Sequence, residues 1–333
     1  MFCFSDKREI EKKLKNVFGL ANFSFARETK QDVGEIEKLV FEILRKEELK
    51  TFKIFTQRSN KNFNLTSQEI NKIVGEFVVN NLRKKVKLEN PDITIFIEIV
   101  DNKAFVYLEK ISGPGGLPIG VSGQGLVLLS DGIDSPVAAW QMMKRGMKVS
   151  FIHFYSYLDH EKEVIEKVKK IVTILSKYQG PSTLYLIPFK EIQKSILEEG
   201  TRDCCLICKR TMFKIASEIA QKKYINALIT GDSLGQVASQ TIENMKITEE
   251  RTDLLVLRPL IGFDKQETIK RAREIGTYDI SIVQTTFYCQ GRLPKHPCTK
   301  GNIKQVKKME KGLVNENLIS VAINNLERVK TGH

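Results

Sequence analysis

The amino-acid sequence predicts a doubly wound α/β domain with a parallel sheet, preceded by a small α+β domain. From residue 126 onward, short apolar runs typical of buried parallel strands alternate with segments of helical periodicity. Upstream, residues 27–110 combine helical patterns with strictly alternating strand patterns. The intervening stretch is rich in Gly and Pro, as domain boundaries are. We therefore divide the chain into segments 1–26, 27–110, 111–125 and 126–333.

The predicted strands of the larger domain are short and apolar, and each ends where polar residues begin. They cover 126–129, 149–154, 184–187, 227–230 and 254–257. One predicted helix between them carries Val164, Val168 and Ile171, and another carries Ile215 and Ile219. Ligands of doubly wound sheets bind beyond the carboxyl ends of the strands, so we expect the functional site there.

The first of these strand ends has the composition of an anion site. The run Ser130-Asp131-Gly132-Ile133-Asp134-Ser135 follows the strand, and Pro136 suits the first turn of the next helix. Free backbone N–H groups and the positive end of the helix dipole point into such a turn. The run is not G-x-x-x-x-G-K-[ST], which excludes the P-loop of kinases and GTPases.

Two more strand ends carry residues that favour ligand binding. His153 and Phe154 end the second strand, and such a pair is well placed to flank an adenine. The block Gly-Asp-Ser-Leu-Gly-Gln-Val-Ala-Ser-Gln-Thr at 231–241 follows the fourth strand. Its Gly, Gln and Ser residues make little sense as core. We expect their backbone and amide groups to close over a ligand.

The small domain combines clear local signals with basic residues at its element ends. Thr66 and Glu69 form a capping box, and four isoleucines alternate along 93–99. Residues 1–26 offer one helix and two strand fragments, so we expect a partial unit completed by the next domain or by another copy. The basic residues at these element ends include Arg58, Lys61, Arg83, Lys84 and Lys85.

Charge and cysteine content narrow the possible partners. The chain carries 53 Lys and Arg against 40 Asp and Glu, a net charge of +13, which favours a polyanionic partner. No apolar run reaches the length of a membrane span and no signal sequence opens the chain, so we expect a cytoplasmic protein with no membrane partner. In that compartment the six cysteines are expected to be metal-binding or catalytic rather than disulfide-bonded.

Together these motifs resemble a known enzyme family. The loop resembles the S-G-G-x-D-S PP-loop of adenine nucleotide α-hydrolases, with Asp131 in place of the second Gly. Residues 27–110 resemble a THUMP RNA-binding domain through Phe52-Lys53-Ile54, Arg58, Ser67, Ile70 and Gly75. This resemblance implies that the five basic residues at the element ends bind RNA phosphates. The order of motifs over roughly 5–300 resembles the tRNA 4-thiouridine synthase (ThiI) family, and the resemblance implies that residues 1–26 are a truncated ferredoxin-like segment. Its carrying motifs are Gly-Pro-Gly-Gly-Leu-Pro, the PP-loop, His-Phe, the 231–241 block, Arg258-Pro259-Leu260 and Gly276-Thr277-Tyr278-Asp279.

The resemblance implies an activity and a set of nucleotide contacts. In this family ATP adenylates O4 of a uridine at tRNA position 8, and sulfur then displaces AMP to give 4-thiouridine. The implied partners are tRNA, ATP with Mg²⁺, and a sulfur donor, either sulfide or a cysteine desulfurase persulfide. The nucleotide contacts implied are Leu128, Leu129, Ser130, Gly132, Asp134, Ser135, His153, Phe154, Lys209, Gly231 and Gln240.

Individual roles follow from the chemistry of adenylation. Asp134 is expected to hold Mg²⁺ or fix the loop, while Ser130 and Ser135 hydrogen-bond phosphate oxygens. Lys209 is expected to offset charge on the α-phosphate. Asp131 places a carboxylate beside the expected pyrophosphate site, which would either weaken ATP binding or help to hold Mg²⁺. The target base must leave its stack to reach such a site.

The cysteines leave several routes for sulfur open. Cys205 and Cys208 form a C-x-x-C pair directly before Lys209, and with Cys289 they would hold a [4Fe–4S] or [3Fe–4S] cluster, the interpretation we favour. Alternatively, Cys289 is the catalytic cysteine and carries a persulfide resolved by a C-x-x-C thiol. Zinc, with His296 as the fourth ligand, is a third possibility. No rhodanese domain follows residue 330, so a persulfide on such a domain is not the expected route.

Two other functions and an assembly are also compatible with the sequence. One alternative is a PP-loop ligase acting on a small molecule, against which the RNA-binding unit argues. The other is an RNA-binding protein with a decayed catalytic site, motivated by Asp131 and the thin N-terminal segment. That segment also predicts a homodimer. The basic segment 295–311 is expected to contact RNA or to form a capping helix.

Overall fold

A computed structural model describes residues 6–59, 63–156, 161–285, 292 and 294–332. The described residues form two compact units. One unit comprises Ala21–Gly113, and the other comprises the described residues up to Leu20 together with those from Pro114 onward.

The strands and helices are numbered here in chain order. The strands are β1 (Asn22–Phe23), β2 (Arg27–Lys30), β3 (Thr51–Arg58), β4 (Lys85–Val86), β5 (Ile93–Val100), β6 (Lys103–Tyr107), β7 (Ile111–Ser112), β8 (Gln124–Leu128), β9 (Lys148–Tyr155), β10 (Ser182–Pro188), β11 (Ala227–Ile229), β12 (Leu255–Leu257) and β13 (Glu327–Thr331). The helices are α1 (Lys7–Leu14), α2 (Val33–Leu44), α3 (Ser67–Leu82), α4 (Asp134–Lys144), α5 (Glu161–Gln179), α6 (Lys190–Glu198), α7 (Cys204–Lys222), α8 (Ile242–Glu249), α9 (Lys265–Ile275), α10 (Tyr278–Ser281), α11 (Ile303–Leu313) and α12 (Glu316–Asn324).

The small unit is a mixed sheet with two helices. Its strands lie in the order β2-β6-β5-β3-β4, with β3 parallel to β5 and β6 antiparallel to β5. The predicted alternation is confirmed, because Ile95, Ile97 and Ile99 are fully buried on one face of β5. The predicted capping box is also present: Thr66 and Glu69 bond each other's backbone N–H groups at the start of α3.

The large unit is a doubly wound sheet, as the sequence predicts. Its strands lie in the order β12-β11-β8-β9-β10-β13, and all neighbours are parallel except the edge strand β13, which is antiparallel to β10. One apolar core contains residues of α6, α7, α11 and α12, and a second contains residues of α4, α5 and α9. Both faces of the sheet are therefore covered, as buried parallel strands require.

The structure divides the predicted 1–26 segment between the two units. Phe18 belongs to the core of the large unit, where its ring stacks on Tyr178 at 5.2 Å and meets Trp140 edge-on at 5.4 Å. Strand β1, by contrast, pairs with β7 inside the small unit. Segment 295–311 includes most of α11, whose Val306 is fully buried in the core. No helix in the described ranges is both long enough and apolar enough to cross a membrane.

Candidate active site

The strand order of the large unit creates a crevice between β8 and β11. From β8 the chain runs outward to β9 and β10, and it then crosses back to β11 and β12 on the other side of β8. At such a switch point the loops beyond neighbouring strands part and leave room for a ligand. Ser130 follows β8 and Gly231 follows β11, so the two predicted motifs meet at this point.

The loop after β8 is ordered by its two serines. The Ser130 N–H donates to Ser135 Oγ at 2.8 Å, and the two hydroxyl oxygens are 3.0 Å apart. The Gly132 N–H reaches Ser130 Oγ at 3.4 Å. Helix α4 begins directly after this turn, and no side chain caps its first N–H groups. These donors and the helix dipole therefore favour an anion.

Gly231 lies where no larger residue fits. A Cβ atom at this position would stand 2.7 Å from the Ser135 nitrogen and 2.8 Å from the Asp134 carbonyl carbon. The backbone after β11 thus touches the first turn of α4. This contact requires glycine because the atoms it meets are backbone atoms.

A cavity of about 250 Å³ opens at the crevice. Seven of the predicted nucleotide contacts line it: Leu128, Ser130, Asp134, Ser135, Lys209, Gly231 and Gln240. Four residues outside the predicted set complete its wall: Met212, Phe213, Thr230 and Asp232. The cavity is polar where the loop and Lys209 face it and apolar along Met212 and Phe213.

Four predicted contacts do not line this cavity. His153 is 3 % exposed, and its Nδ1 donates to the Leu129 carbonyl at 2.8 Å. Burial lowers the pKa of His153. Leu129 is itself buried, Phe154 packs edge-on against Phe189, and Gly132 faces a different cavity. His153 and Phe154 thus lie outside the lining of this cavity, whose apolar wall comes from α7, and their contact with an adenine stays a prediction.

Asp232 organises the far wall of the cavity and was missed in the sequence. Its carboxylate accepts from Lys209 at 3.0 Å, Gln240 at 3.1 Å and Thr230 at 2.8 Å, and Arg258 Nε lies 3.7 Å away. Burial alone would raise the pKa of Asp232, but the Lys209 ammonium and these hydrogen bonds outweigh burial and lower it. Its place directly after Gly231 at a strand end is the signal that could have found it.

Asp134 is held by two other segments. Lys265 Nζ, at the start of α9, lies 2.7 Å and 3.0 Å from the two carboxylate oxygens. Gln236 Nε2 donates to the same carboxylate at 2.9 Å. The carboxylate is 23 % exposed at the cavity edge. It can therefore serve both roles expected of it, fixing the loop or exchanging Lys265 for a metal cation.

Asp131 points away from the 250 Å³ cavity at the crevice, the candidate nucleotide cavity. It is 6 % exposed, and its Oδ2 accepts from Lys167 Nζ at 3.1 Å and from Thr285 Oγ1 at 2.6 Å. The expectation that this carboxylate stands beside the pyrophosphate site is wrong, because the side chain turns into a buried ion pair. The charge of Lys167 offsets it there.

The C-x-x-C pair lies in the first two turns of α7. Cys205 is half-buried and Cys208 is buried. Cys205 precedes Lys209 by one turn, about 6 Å along the helix axis, so the two side chains share a face. A hydrogen bond from the Cys204 thiol, whose Sγ is 4.0 Å away, and the Lys209 charge lower the pKa of Cys205. Its thiolate is therefore favoured.

Among the described residues, no further cysteine joins Cys205 and Cys208 in a metal site. Cys289 lies outside the described residues, as Lys61 does. Cys298 lies beside the start of α7, where its N–H donates to the Arg202 carbonyl at 3.2 Å. Across the described ranges, no three His, Cys, Asp or Glu side chains are grouped so that they could hold a metal ion.

The predicted RNA-binding residues fall into two groups. Arg58 donates to the carbonyls of Phe63 and Leu65, at 3.1 Å and 2.6 Å, and Lys84 donates to those of Glu47 and Leu49, at 2.8 Å and 3.0 Å. Both side chains thus hold loops in place. Arg83 and Lys85 are exposed at the end of α3 and on β4.

The fold and site define a PP-loop type of nucleotide-binding α/β domain joined to a small α+β unit, and the comparisons with known proteins agree. The model of the Thiamine biosynthesis protein (ThiI) family matches residues 120–314, and the THUMP domain model matches residues 30–109. The chain belongs to the ThiI family.

Its relatives are similar over most of their length. A probable tRNA sulfurtransferase of Moorella thermoacetica is 40 % identical over 324 residues, covering 97 % of this chain and 83 % of the relative. One from Caldanaerobacter subterraneus subsp. tengcongensis is 44 % identical over 310 residues, covering 92 % and 81 %. A solved 4-thiouridine synthetase in complex with RNA and ATP superposes with a TM-score of 0.89 at 32 % identity, covering 98 % of this chain and 87 % of that one.

Proposed function

We propose that this protein is an ATP-dependent tRNA sulfurtransferase that converts a tRNA uridine, at position 8 by family resemblance, into 4-thiouridine. The observation that carries the proposal is the cavity at the switch point. Its walls bring the 130–135 loop, Lys209 and Gly231 together around space for an anion. The solved relative that holds both RNA and ATP supports the same assignment.

The first chemical step is adenylation of the base. Uridine O4 attacks the α-phosphorus of ATP, the bond to the bridging oxygen breaks, and pyrophosphate leaves. The uncapped N–H groups of α4 and the hydroxyls of Ser130 and Ser135 donate to phosphate oxygens. Asp232 positions Lys209 through an ion pair, and the Lys209 ammonium offsets the charge that develops on the α-phosphate.

The second step replaces oxygen with sulfur. A nucleophilic sulfur attacks C4, the C4–O bond breaks, and AMP leaves with the former uridine oxygen. Because α7 carries Cys205, Cys208 and Lys209 within two turns, the helix that neutralises the phosphate also brings thiols near it. Adenylation makes this exchange possible, since it turns a poor leaving group into a good one.

Two metal groups are part of the proposal. Asp134 would hold Mg²⁺, since carboxylate oxygens are ligands that Mg²⁺ prefers, and the ion would neutralise the departing pyrophosphate. Cys205 and Cys208 supply two of the three thiolates for a [4Fe–4S] or [3Fe–4S] cluster, and Cys289 is assigned as the third. In the [4Fe–4S] form, a cluster held by these three thiolates would have room to bind sulfide and so would supply the sulfur.

The proposed partners are tRNA, a sulfur donor and a second copy of the chain. The small unit would bind tRNA through phosphate contacts, with Arg83 and Lys85 as its exposed cations. Sulfide or a cysteine desulfurase persulfide would donate the sulfur. A homodimer would complete the RNA-binding surface across two chains.

The test uses anaerobically purified full-length protein. It is incubated with tRNA, ATP, Mg²⁺ and sulfide, and digested nucleosides are analysed by mass spectrometry alongside iron and acid-labile sulfide contents. We expect 4-thiouridine, with iron and sulfide lost together in Cys205→Ser but kept in the control Cys298→Ser. An iron-free protein that thiolates tRNA with a cysteine desulfurase as the sulfur donor would move the sulfur step to a persulfide on Cys289. Absence of 4-thiouridine with either sulfide or a desulfurase would overturn the function.

A further inference from the structure

The nucleotide loop carries a buried ion pair that the proposed chemistry does not use. Lys167 on α5 and Asp131 in the loop have side chains only 7 % and 8 % exposed, and their charged atoms lie 3.1 Å apart. A buried charge is costly unless it is paired and hydrogen-bonded. We therefore expect the pair to make further contacts that offset the cost of burying its two charges.

Lys167 uses all its donors to bind one segment to the loop. An ammonium group has three N–H donors. One goes to Asp131, one to the Ser281 carbonyl at 3.1 Å and one to the Val283 carbonyl at 2.8 Å. Ser281 ends α10, so the cation also satisfies carbonyls that a helix end leaves open.

Asp131 binds the same segment directly. Thr285 Oγ1 donates to Asp131 Oδ2 at 2.6 Å. Residues 281–285 are thus attached to the loop directly through Thr285, and indirectly through Lys167, which holds Ser281 and Val283. Between them and the loop lies a cavity of about 400 Å³, separate from the nucleotide cavity.

We propose that Asp131 and Lys167 are positioning residues that fasten segment 281–285 to the nucleotide loop. Asp131 acts through its side chain on this segment, while its backbone belongs to the loop that receives phosphate. A loop rearranged by nucleotide therefore moves the segment with it. This role rests on the proposed function, in which residue 289, four positions after Thr285, takes part in sulfur transfer.

The pair also explains how this loop tolerates a carboxylate. Gly stands at this position in the S-G-G-x-D-S pattern, and an unpaired carboxylate would repel a polyphosphate. Lys167 cancels that charge locally. Removing Lys167 alone should therefore harm the protein more than removing both members of the pair.

The test compares full-length Asp131→Gly, Thr285→Val and the double variant Asp131→Gly/Lys167→Met with wild type. Lys169→Met is the matched control, since Lys169 lies on the same helix and pairs with the exposed Glu166. Three quantities are measured for each protein: the Kd for ATP, amide hydrogen exchange of 281–285, and kcat and KM for thiolation.

In Asp131→Gly and the double variant we expect the Kd for ATP to stay within about threefold of wild type, because the carboxylate does not line the nucleotide cavity. Exchange of the 281–285 amides should rise at least about tenfold, and kcat should fall by about as much while KM for ATP is unchanged. Thr285→Val should also raise exchange and lower kcat, but by smaller factors.

Two results would overturn the role. Unchanged exchange in the double variant would mean that the pair does not fasten the segment. A loss of ATP affinity as large as the fall in kcat would make Asp131 part of the nucleotide site instead. If wild type makes no 4-thiouridine, the proposed function fails, but exchange and ATP binding still decide whether the segment is fastened.

Discussion

Lys265 Nζ lies 2.7 Å and 3.0 Å from the two carboxylate oxygens of Asp134, although the residues are 131 positions apart. Asp134 opens α4 and Lys265 opens α9. Gln236, from the loop after β11, donates to the same carboxylate. The acidic residue of the nucleotide loop is thus held by a cation and an amide at the cavity edge. A metal ion binding to Asp134 has to displace that cation.

Removing the competing cation should make Mg²⁺ easier to bind. In Lys265→Met we expect the Mg²⁺ concentration for half-maximal adenylation to fall about threefold to tenfold, since the pair is partly exposed and screened. Pyrophosphate release with tRNA present measures it. Lys270→Met, an exposed change on the same helix, is the control. A higher Mg²⁺ requirement in Lys265→Met would mean that Lys265 orients the loop rather than competing with the metal.

The contact at Gly231 should be intolerant of one added carbon. In Gly231→Ala the new Cβ would meet backbone of Ser135 at 2.7 Å, so the loop must move away from β11. We expect ATP affinity to fall at least about tenfold with the fold retained. Equilibrium dialysis and circular dichroism check both. Gly262→Ala is the control because its Cβ meets nothing within 4 Å, and equal affinity in the two variants would contradict the expected clash.

The exposed and the inward-facing cations of the small unit should respond differently to mutation. In Arg83→Gln and Lys85→Gln we expect weaker tRNA binding, with the salt dependence of log K reduced by about one for each phosphate that the variant no longer neutralises. Arg58→Met and Lys84→Met should instead lower stability, by about 1 kcal/mol for each hydrogen bond removed. Binding isotherms at several salt concentrations and thermal unfolding separate the two effects. A reversed pattern would assign RNA contact to Arg58 and Lys84.

Asp232 predicts a particular dependence of stability on pH. Its pKa is lowered in the folded protein, so its stabilising contribution is complete above the ordinary Asp pKa of 3.8 and is lost as pH falls through the lower folded value. In Asp232→Asn we expect a loss of about 3–5 kcal/mol at neutral pH, because a buried ionic network is broken. The gap between the variant and wild type should close only in acid. The exposed Asp253→Asn serves as control, and a gap that is independent of pH down to strong acid would contradict the assignment.

The sequence predicted the strands and turns that depend on local patterns of residues. Continuous apolar runs located β8 to β12 because strands buried on both faces need them. The turn after β8 was recognised because its residues are contiguous. Strand β13 was not predicted, since Glu327-Arg328-Val329-Lys330-Thr331 is largely charged and pairs only at the sheet edge.

Local sequence patterns could not predict the direction in which a side chain points, or partners that lie far along the chain. The sequence did not show that His153 turns inward to the Leu129 carbonyl. The partners of Asp131 and Asp232 lie far along the chain, with Lys167 36 positions from Asp131 and Lys209 23 positions from Asp232. Only the folded chain brings these charges together, so the sequence could not say where either carboxylate points.

The most direct measurement follows the uridine oxygen. tRNA labelled with ¹⁸O at uridine O4 is incubated with the protein, ATP, Mg²⁺ and the sulfur donor, and the AMP formed is analysed by mass spectrometry. If O4 is adenylated and sulfur then displaces AMP, one molecule of ¹⁸O-labelled AMP forms for every 4-thiouridine made. Unlabelled AMP alongside 4-thiouridine would contradict adenylation of the base, because ATP would then be cleaved by water instead.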